Sequence, residues 1–357
     1  MSLFENFGQD PNVTNTIDLW DIAPRFVFYT DADAREAGKY LRTIERDFMH
    51  AGKHYSLVLK PARIKRDGKE IEEYPGEREQ LVEEVIRKLA VERGRLGLDK
   101  QENVIMRFSL TEVRRELERT KHGFKFDQIK EAIRILRQAE VEILKEEGEG
   151  GQQATSVLVS SAFPQIGFRE KGREDADTFV QFNWLVATAL KHLEFRQMNY
   201  ELIMRLKKPM ARWLFKRLYH NVIYPTDAFA NPALHVIHAT EIHRDCGMSQ
   251  WSRWRDALRH IDKAVEVLKA EGVLDSVETE AIHKGRTKED VIYTMRASPG
   301  FLAQAGRAER LHHENLADFR NLTGFEEPKE FIPINPVQVA ELRRARKLRD
   351  LGRPKAG

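Results

Sequence analysis

Residues 239–298 read ATEIHRDCGMSQWSRWRDALRHIDKAVEVLKAEGVLDSVETEAIHKGRTKEDVIYTMRAS. The order is a short helix, a turn, a long helix and a β-hairpin. On the long helix Trp254, Leu258, Ile261, Val265 and Leu268 fall at spacings of three and four, so one face can bury against a core. The other face begins with Ser249, Gln250, Ser252, Arg253 and Arg255 and continues through Arg259 and Lys263. Gly272 ends the helix, and residues 273–282 and 291–296 read as paired strands. Their connecting tip, HKGRTK over 283–288, carries Lys284, Arg286 and Lys288. This order of elements predicts a winged helix. A helix that presents hydroxyls, an amide and guanidinium groups in its first turn suits a major groove. Backbone N–H groups and cations meet phosphates there, while Arg and Gln reach base edges. The basic tip suits a wing laid against the DNA backbone. The alternative is a helix and hairpin in a small α+β domain that binds no nucleic acid, because helix-turn-helix geometry is common.

Working outward, the same order occurs once more upstream. Residues 56–60 and 62–65 read as strands, and the Asp67-Gly68 pair is a hairpin turn into 70–74. A helix is predicted over 77–93, with Leu81, Val85, Ile86 and Leu89 on one face, then a strand over 104–108. Ser109 or Thr111 can cap a helix over 112–119. A second helix over 126–139 has Ile129, Ile133 and Leu136 on its apolar face, and strands over 141–145, parts of 155–168, and 178–183 follow. A long helix over 199–221 then opens the second unit. Between Lys191 and Arg217 the basic residues Arg196, Arg205, Lys207, Lys208, Arg212 and Lys216 outnumber Glu194 and Glu201, which suggests a phosphate-facing surface. The expected architecture is therefore α+β, with tandem winged-helix domains. A flexible arm spans 1–50, the first domain 51–190, the second 191–300, and a disordered basic tail 301–357. Two such domains can straddle successive major-groove faces about one helical turn apart. The tail includes a short helix candidate over 337–351, with Arg343, Arg344, Arg346, Lys347 and Arg349.

Composition narrows the class. The 357 residues are 41% hydrophobic and 32% charged, enough for two globular domains. Lys plus Arg (59) nearly balances Asp plus Glu (56), so a nucleic-acid footprint must come from segregated charge. A single cysteine, Cys246, precludes an intramolecular disulfide and fits a reducing cytoplasm. No run of 18 apolar residues and no basic-then-apolar leader occurs, so a soluble, cytoplasmic, unexported protein is expected.

Enzyme signatures are missing. Gly38-Lys39, Gly52-Lys53 and Gly68-Lys69 are followed by Tyr, His and Glu, so no Walker-type nucleotide cradle is present. Neither H-E-x-x-H nor G-x-S-x-G occurs, and the carboxylates intersperse with Lys and Arg on helical surfaces. His235, His238, His243 and Cys246 have metal-like spacing, but a winged-helix layout accounts for them as strand and core positions. No catalytic residue, metal or cofactor is expected.

Three segments carry a family resemblance: LWDIAP at 19–24; the hairpin 62–74 with helix 77–93; and MNYELIMRL at 198–206 through ARWLFKRLY at 211–219 to CGMS at 246–249 and RWR at 253–255. Across residues 17–298 the chain resembles plasmid replication initiators of the iteron-binding Rep class, most like the broad-host-range TrfA type. The resemblance implies binding to direct repeats in double-stranded origin DNA, opening of an A+T-rich region and recruitment of host helicase. It implies base readout by Ser249, Gln250, Arg253, Arg255 and Arg259, and further contacts at Lys125, Gln128, Lys130 and Arg134 in the first domain and at Lys284, Arg286 and Lys288 on the wing. Lys207, Lys208 and Lys263 complete the expected DNA-binding set. It also implies a homodimer through the first domain when replication is restrained. Members of that type dock on the sliding clamp through a glutamine-led peptide. The corresponding peptide here is TIDLW at 16–20, without the leading glutamine, and Leu19 and Trp20 are the residues that would enter the clamp's pocket. A winged-helix transcriptional repressor on a palindromic operator is the neighbouring alternative. A primase or relaxase would need a motif that is not in the chain.

Overall fold

Chain order gives two passes through one set of elements, followed by a helix that touches both. The computed structural model describes residues 12–28, 35–36, 40–92, 95–147, 153–168, 177–223, 231, 233–248 and 253–323.

The first pass opens with β1 (Val13–Thr16), α1 (Asp18–Ile22), β2 (Arg35–Glu36), β3 (Tyr40–Leu41), β4 (Ile44–His50) and β5 (Lys53–Lys60). The hairpin β6 (Ala62–Arg66) and β7 (Lys69–Glu73) follows. Asp67 and Gly68 both take positive φ, 50° and 79°, the mirror-image turn that matches strand twist. Next come α2 (Glu77–Ala90), β8 (Leu96–Leu98), β9 (Val104–Ser109), α3 (Leu110–Arg119) and α4 (Phe126–Gln138). Ser109 caps α3: its Oγ accepts from the Glu112 N–H at 3.1 Å, and Glu112 returns the contact to the Ser109 N–H at 2.7 Å. The unit closes with β10 (Glu140–Glu147), β11 (Gln153–Ser160), β12 (Ile166–Gly167), β13 (Asp177–Gln181) and α5 (Trp184–Lys191).

The second pass runs β14 (Arg196–Asn199), α6 (Tyr200–Arg205), α7 (Pro209–Ile223), β15 (Leu234–His238), α8 (Ala239–Asp245), α9 (Trp254–Ala270), β16 (Leu274–Lys284) and β17 (Thr287–Ala297). Its antiparallel sheet has the order β15-β17-β16, with α7, α8 and α9 packed on one core. This is a winged helix. In the first unit the order of helices and strands is the same but the pairing is not. There β9 joins a separate sheet, β12-β13-β9-β8, and the wing strands β10 and β11 are completed by β5 and β4.

Three expectations are corrected. The helix expected over 199–221 is broken into α6 and α7 at 206–208, because Pro209 has no N–H to continue a helix and disfavours helical backbone at the residue before it. Of the arm expected over 1–50, the described residues 12–28 and 40–50 are built into the fold. Strand β1 pairs with β14, β4 is an edge of the first sheet, and residues of α1 and the following segment line the first core. A polar arm could be read as loose only because its apolar partners lie far along the chain. The tail does not begin at 301: α10 (Pro299–Thr323) packs Phe301 and Ala305 into the second core and Leu316 against the first. The helix candidate at 337–351 lies outside the described residues. Among the described residues no helix is long and apolar enough to cross a membrane.

The two units meet across a joint of buried charge between α1, α2 and α7. Asp21 accepts from Arg87 at 2.6 and 2.8 Å, from Lys216 at 2.7 Å, from the Thr16 hydroxyl at 2.6 Å and from the Ile17 N–H at 2.8 Å. Burial alone would raise its carboxyl, but Arg87 and Lys216 outweigh burial and hold it well below the ordinary range. Lys216 also pairs with Glu84. The wholly buried Arg212 donates to Glu77 at 2.7 Å, Gln80 at 3.0 Å and the Leu206 carbonyl at 2.9 Å. Each charge taken out of water here is matched by an opposite one, which a buried ion needs to persist.

Candidate nucleic-acid interface

Helix α9 buries Ala257, Leu258, Ile261, Ala264, Val265 and Leu268, and packs Trp254 against the same core. Asp262 accepts from the Tyr293 hydroxyl at 2.7 Å, which ties the helix to β17. With that face fixed inward, Arg255, Arg259 and Lys263 stand exposed at every fourth position, successive residues rising about 6 Å along the axis. Asp256 pairs with Arg259 at 3.1 Å, a solvent-facing pair that a phosphate or base can displace at little cost. Arg253 is exposed at the N-cap, with the extended backbone of a residue that enters rather than continues the helix. The structure thus brings Arg253, Arg255, Arg259 and Lys263 to one helix end and face. Ser249 and Gln250 lie outside the described residues.

The wing flanks this helix. Strands β16 and β17 are 11 residues each, and most side chains from Glu278 to Glu289 are exposed. At about 3.3 Å per residue, the exposed half projects on the order of 20 Å beyond the core. Gly285 turns the tip with φ +64°, and Lys284, Arg286 and Lys288 are all exposed there.

The break before α7 adds Lys207 and Lys208, both exposed. Partial burial, then Arg259, Lys263 and Lys208, hold the His260 imidazole below its ordinary value. Most of the rest of the basic run turns inward, which corrects the expectation of a phosphate-facing surface over 191–217. Arg196 pairs with Glu309 at 2.5 Å, Arg212 and Lys216 belong to the joint, and Arg217 pairs with Asp245 at 3.3 Å and is mostly buried. Arg205 is exposed but paired with Glu271 at 3.0 Å.

The first unit's α4 presents Lys125, Gln128 and Arg134 to solvent, with Lys130 half-buried. Gln128 is already used, since its Oε1 accepts from the Lys125 N–H at 2.8 Å and caps the helix. The Arg134 guanidinium lies 5.5 Å from the Phe168 ring centre. One flank of α4 is covered by the β6–β7 hairpin. Ile64 and Ile71 pack on Ile135 and Ala139, and Arg66 donates to both carboxylate oxygens of Glu131.

The expected clamp-docking pair is corrected. Trp20 is 1% exposed, its indole N–H donates to Glu83 at 2.9 Å, and the Arg25 guanidinium lies 4.1 Å over its ring. Leu19 packs against the same core. A partner's pocket could take Trp20 only by emptying this one. Two of the four residues with metal-like spacing contact other side chains, and a third is a buried thiol. His238 faces Asp290 at 2.9 Å, His243 packs edge-on against Trp254, and burial pushes the Cys246 thiol up to about 12.

A cavity of roughly 100 Å³ opens at the joint, lined by Asp18, His50, Arg217, His220 and His235 among others. Burial pushes His50 and His235 down to about 4, helped by Arg217, and His220 down to about 3. Burial and the neighbouring Asp21 raise Asp18 to about 7.

No known family model and no curated protein matches the chain. Among solved structures it is similar to a crystal structure of domains 2 and 3 of RctB, at 6% identity and TM-score 0.44, covering 74% of this chain and 94% of that one. A second RctB structure of the same domains gives 7% and 0.41, covering 80% and 98%. The Pi initiator protein in complex with iteron DNA gives 11% and 0.39, covering 62% and 91%.

Proposed function

We propose that this protein is a plasmid replication initiator that binds directly repeated origin DNA without enzymatic activity of its own. The observation that carries the reading is the exposed row Arg255, Arg259 and Lys263 on α9, beside a long wing tipped by Lys284, Arg286 and Lys288. Guanidinium groups at this spacing on a helix of major-groove width can reach guanine edges, and the wing cations supply phosphate contacts. Opening of the origin, recruitment of host helicase, a copy-limiting homodimer and a cytoplasmic site of action complete the proposal. They rest on the resemblance in the segments 19–24, 62–93 and 198–255.

Footprinting of purified protein on the DNA flanking its own gene, at a low and a higher salt concentration, tests it. Evenly spaced direct repeats protected at both salts are the expected result. Protection of a single palindrome over a promoter would make the protein a repressor. No protection at either salt would refute DNA readout by α9.

A further inference from the structure

Strand β17 changes character at Asp290. From Thr287 to Glu289 it is exposed wing, and from Asp290 onward most of its side chains are buried in the second unit. Strand β15 pairs with it only as far as Ile292, opposite His238, so beyond that point the wing is a two-stranded ribbon. A register shift between Ile282 and His283 kinks the ribbon at the same level. Two side chains tie this strand to the two helices that precede the wing. The Asp290 carboxylate accepts from the Thr240 N–H at 3.1 Å and the Thr240 hydroxyl at 2.7 Å, and faces His238 Nδ1 at 2.9 Å, which fixes the start of α8. Three residues on, the Tyr293 side chain is buried and its hydroxyl donates to Asp262 of α9 at 2.7 Å. Asp262 is not a core residue. It is exposed, three positions after Arg259 and seven after Arg255, on the helical stripe that carries both arginines. Apolar burial is non-directional, whereas a hydrogen bond weakens steeply once bent, so this bond fixes the roll of α9 about its axis. It also holds the Asp262 carboxylate against β17 and away from Arg259, with which a spacing of three would let it pair.

We propose that Tyr293 is a positioning residue for base readout: β17, anchored at the wing's root by Asp290, carries the seating of the wing on phosphate to α9 through the Tyr293–Asp262 bond, and so aims Arg255 and Arg259. This rests on the DNA-binding reading. It adds that the wing and the reading helix act as one body. Phosphate contacts carry no sequence information themselves, but they set the orientation in which bases are read. A contact at Lys288, two residues before Asp290, therefore contributes to discrimination between sequences as well as to affinity.

The test is fluorescence anisotropy with the full chain at constant pH and ionic strength. The probes are a labelled fragment of the DNA flanking its own gene and a shuffled duplex of equal length. The readout is the ratio of the two affinities, which a general loss of folded protein does not change. Tyr293→Phe is expected to lower that ratio about five- to tenfold, the scale of one misaligned base contact, and to bind the shuffled duplex within about twofold of wild type. Asp262→Ala is expected to lower the ratio equally. Asp262→Asn, which keeps an oxygen for the Tyr293 hydroxyl, retains the wild-type ratio. Lys288→Ala is expected to cost the specific fragment at least about threefold more in wild type than in Tyr293→Phe, and to cost the shuffled duplex the same in both. Circular dichroism confirms that each variant is folded, and the two variants of the exposed Asp262 carry the test if Tyr293→Phe does not fold. An unchanged ratio in Tyr293→Phe or Asp262→Ala, an equal loss in Asp262→Asn, or effects of Lys288→Ala and Tyr293→Phe that simply add overturns the positioning role and leaves the DNA reading standing. A wild type that binds the two duplexes equally, or neither at low salt, overturns both.

Discussion

The two winged-helix units share an order of elements and differ in what surrounds their second helices. In the second unit, β15 closes the wing sheet and α9 keeps its whole outer face in solvent. In the first, β9 has left for another sheet, β5 has taken a place beside the wing strand β10, and the β6–β7 hairpin lies against α4. Identical order therefore does not mean equal access. The second unit is free to reach into a groove. The first is enclosed by its own chain and offers a few cations at its margin. In the proposed function that difference would separate base readout from support, and it can be attacked at several points.

The largest effect is expected at the joint that fixes the two units together. Asp21→Ala leaves Arg87 and Lys216 buried with less than their matching charge, and should cost about 3–5 kcal/mol of stability. Chemical denaturation checks it. A loss under about 1 kcal/mol would show that the ion network does not hold the units in register. Readout comes next. Arg255→Ala should cost about 1–3 kcal/mol on the specific site and much less on random duplex, whereas Arg134→Ala should weaken both by a small, equal amount. Similar profiles for the two variants, in titrations of both duplexes, would erase the proposed division of labour.

Acid should loosen the joint. His50, His220 and His235 are held near 4, 3 and 4 in the folded chain, while the unfolded chain protonates them near 6.5. Between these values the unfolded state binds more protons, so stability falls as pH drops from about 7 towards 4. Asp18, raised to about 7, works the other way, because the folded chain holds its proton through the same window. Three groups oppose one, and urea midpoints near pH 5 should lie below those near pH 7. An equal or higher midpoint near pH 5 would mean these imidazoles gain protons without cost. The smallest effect belongs to Lys207→Ala with Lys208→Ala. It should weaken all duplexes alike and reduce the salt slope by about 2 if both cations meet phosphates.

Much of this was legible in residues 239–298. The spacing of Leu258, Ile261, Val265 and Leu268 set the inner face of α9, and hence the outward row of Arg255, Arg259 and Lys263. Asp67-Gly68 marked its turn and Ser109 its cap, because both act through neighbours in sequence. Most of the misreadings involve distant partners. A run containing Arg212 and Lys216 looks solvated until Glu77, Glu84 and Asp21 arrive from more than a hundred residues away. Trp20 looks like a docking residue until Glu83 and Arg25 enclose it. Strand partners in the first unit are non-local for the same reason. Pro209 is different, since a proline there was a visible stop and the uninterrupted helix should have been split on sight.

The most direct test of the account is guanine-N7 methylation interference on the protected DNA, comparing wild type with Arg255→Ala, Arg259→Ala and Arg134→Ala. Guanine N7 lies in the major groove, where a bidentate arginine would meet it. The account expects each α9 variant to lose interference at a discrete guanine while Arg134→Ala leaves the pattern intact. An unchanged pattern in both α9 variants, or a base lost from it in Arg134→Ala, would contradict the claim that the second unit reads the sequence.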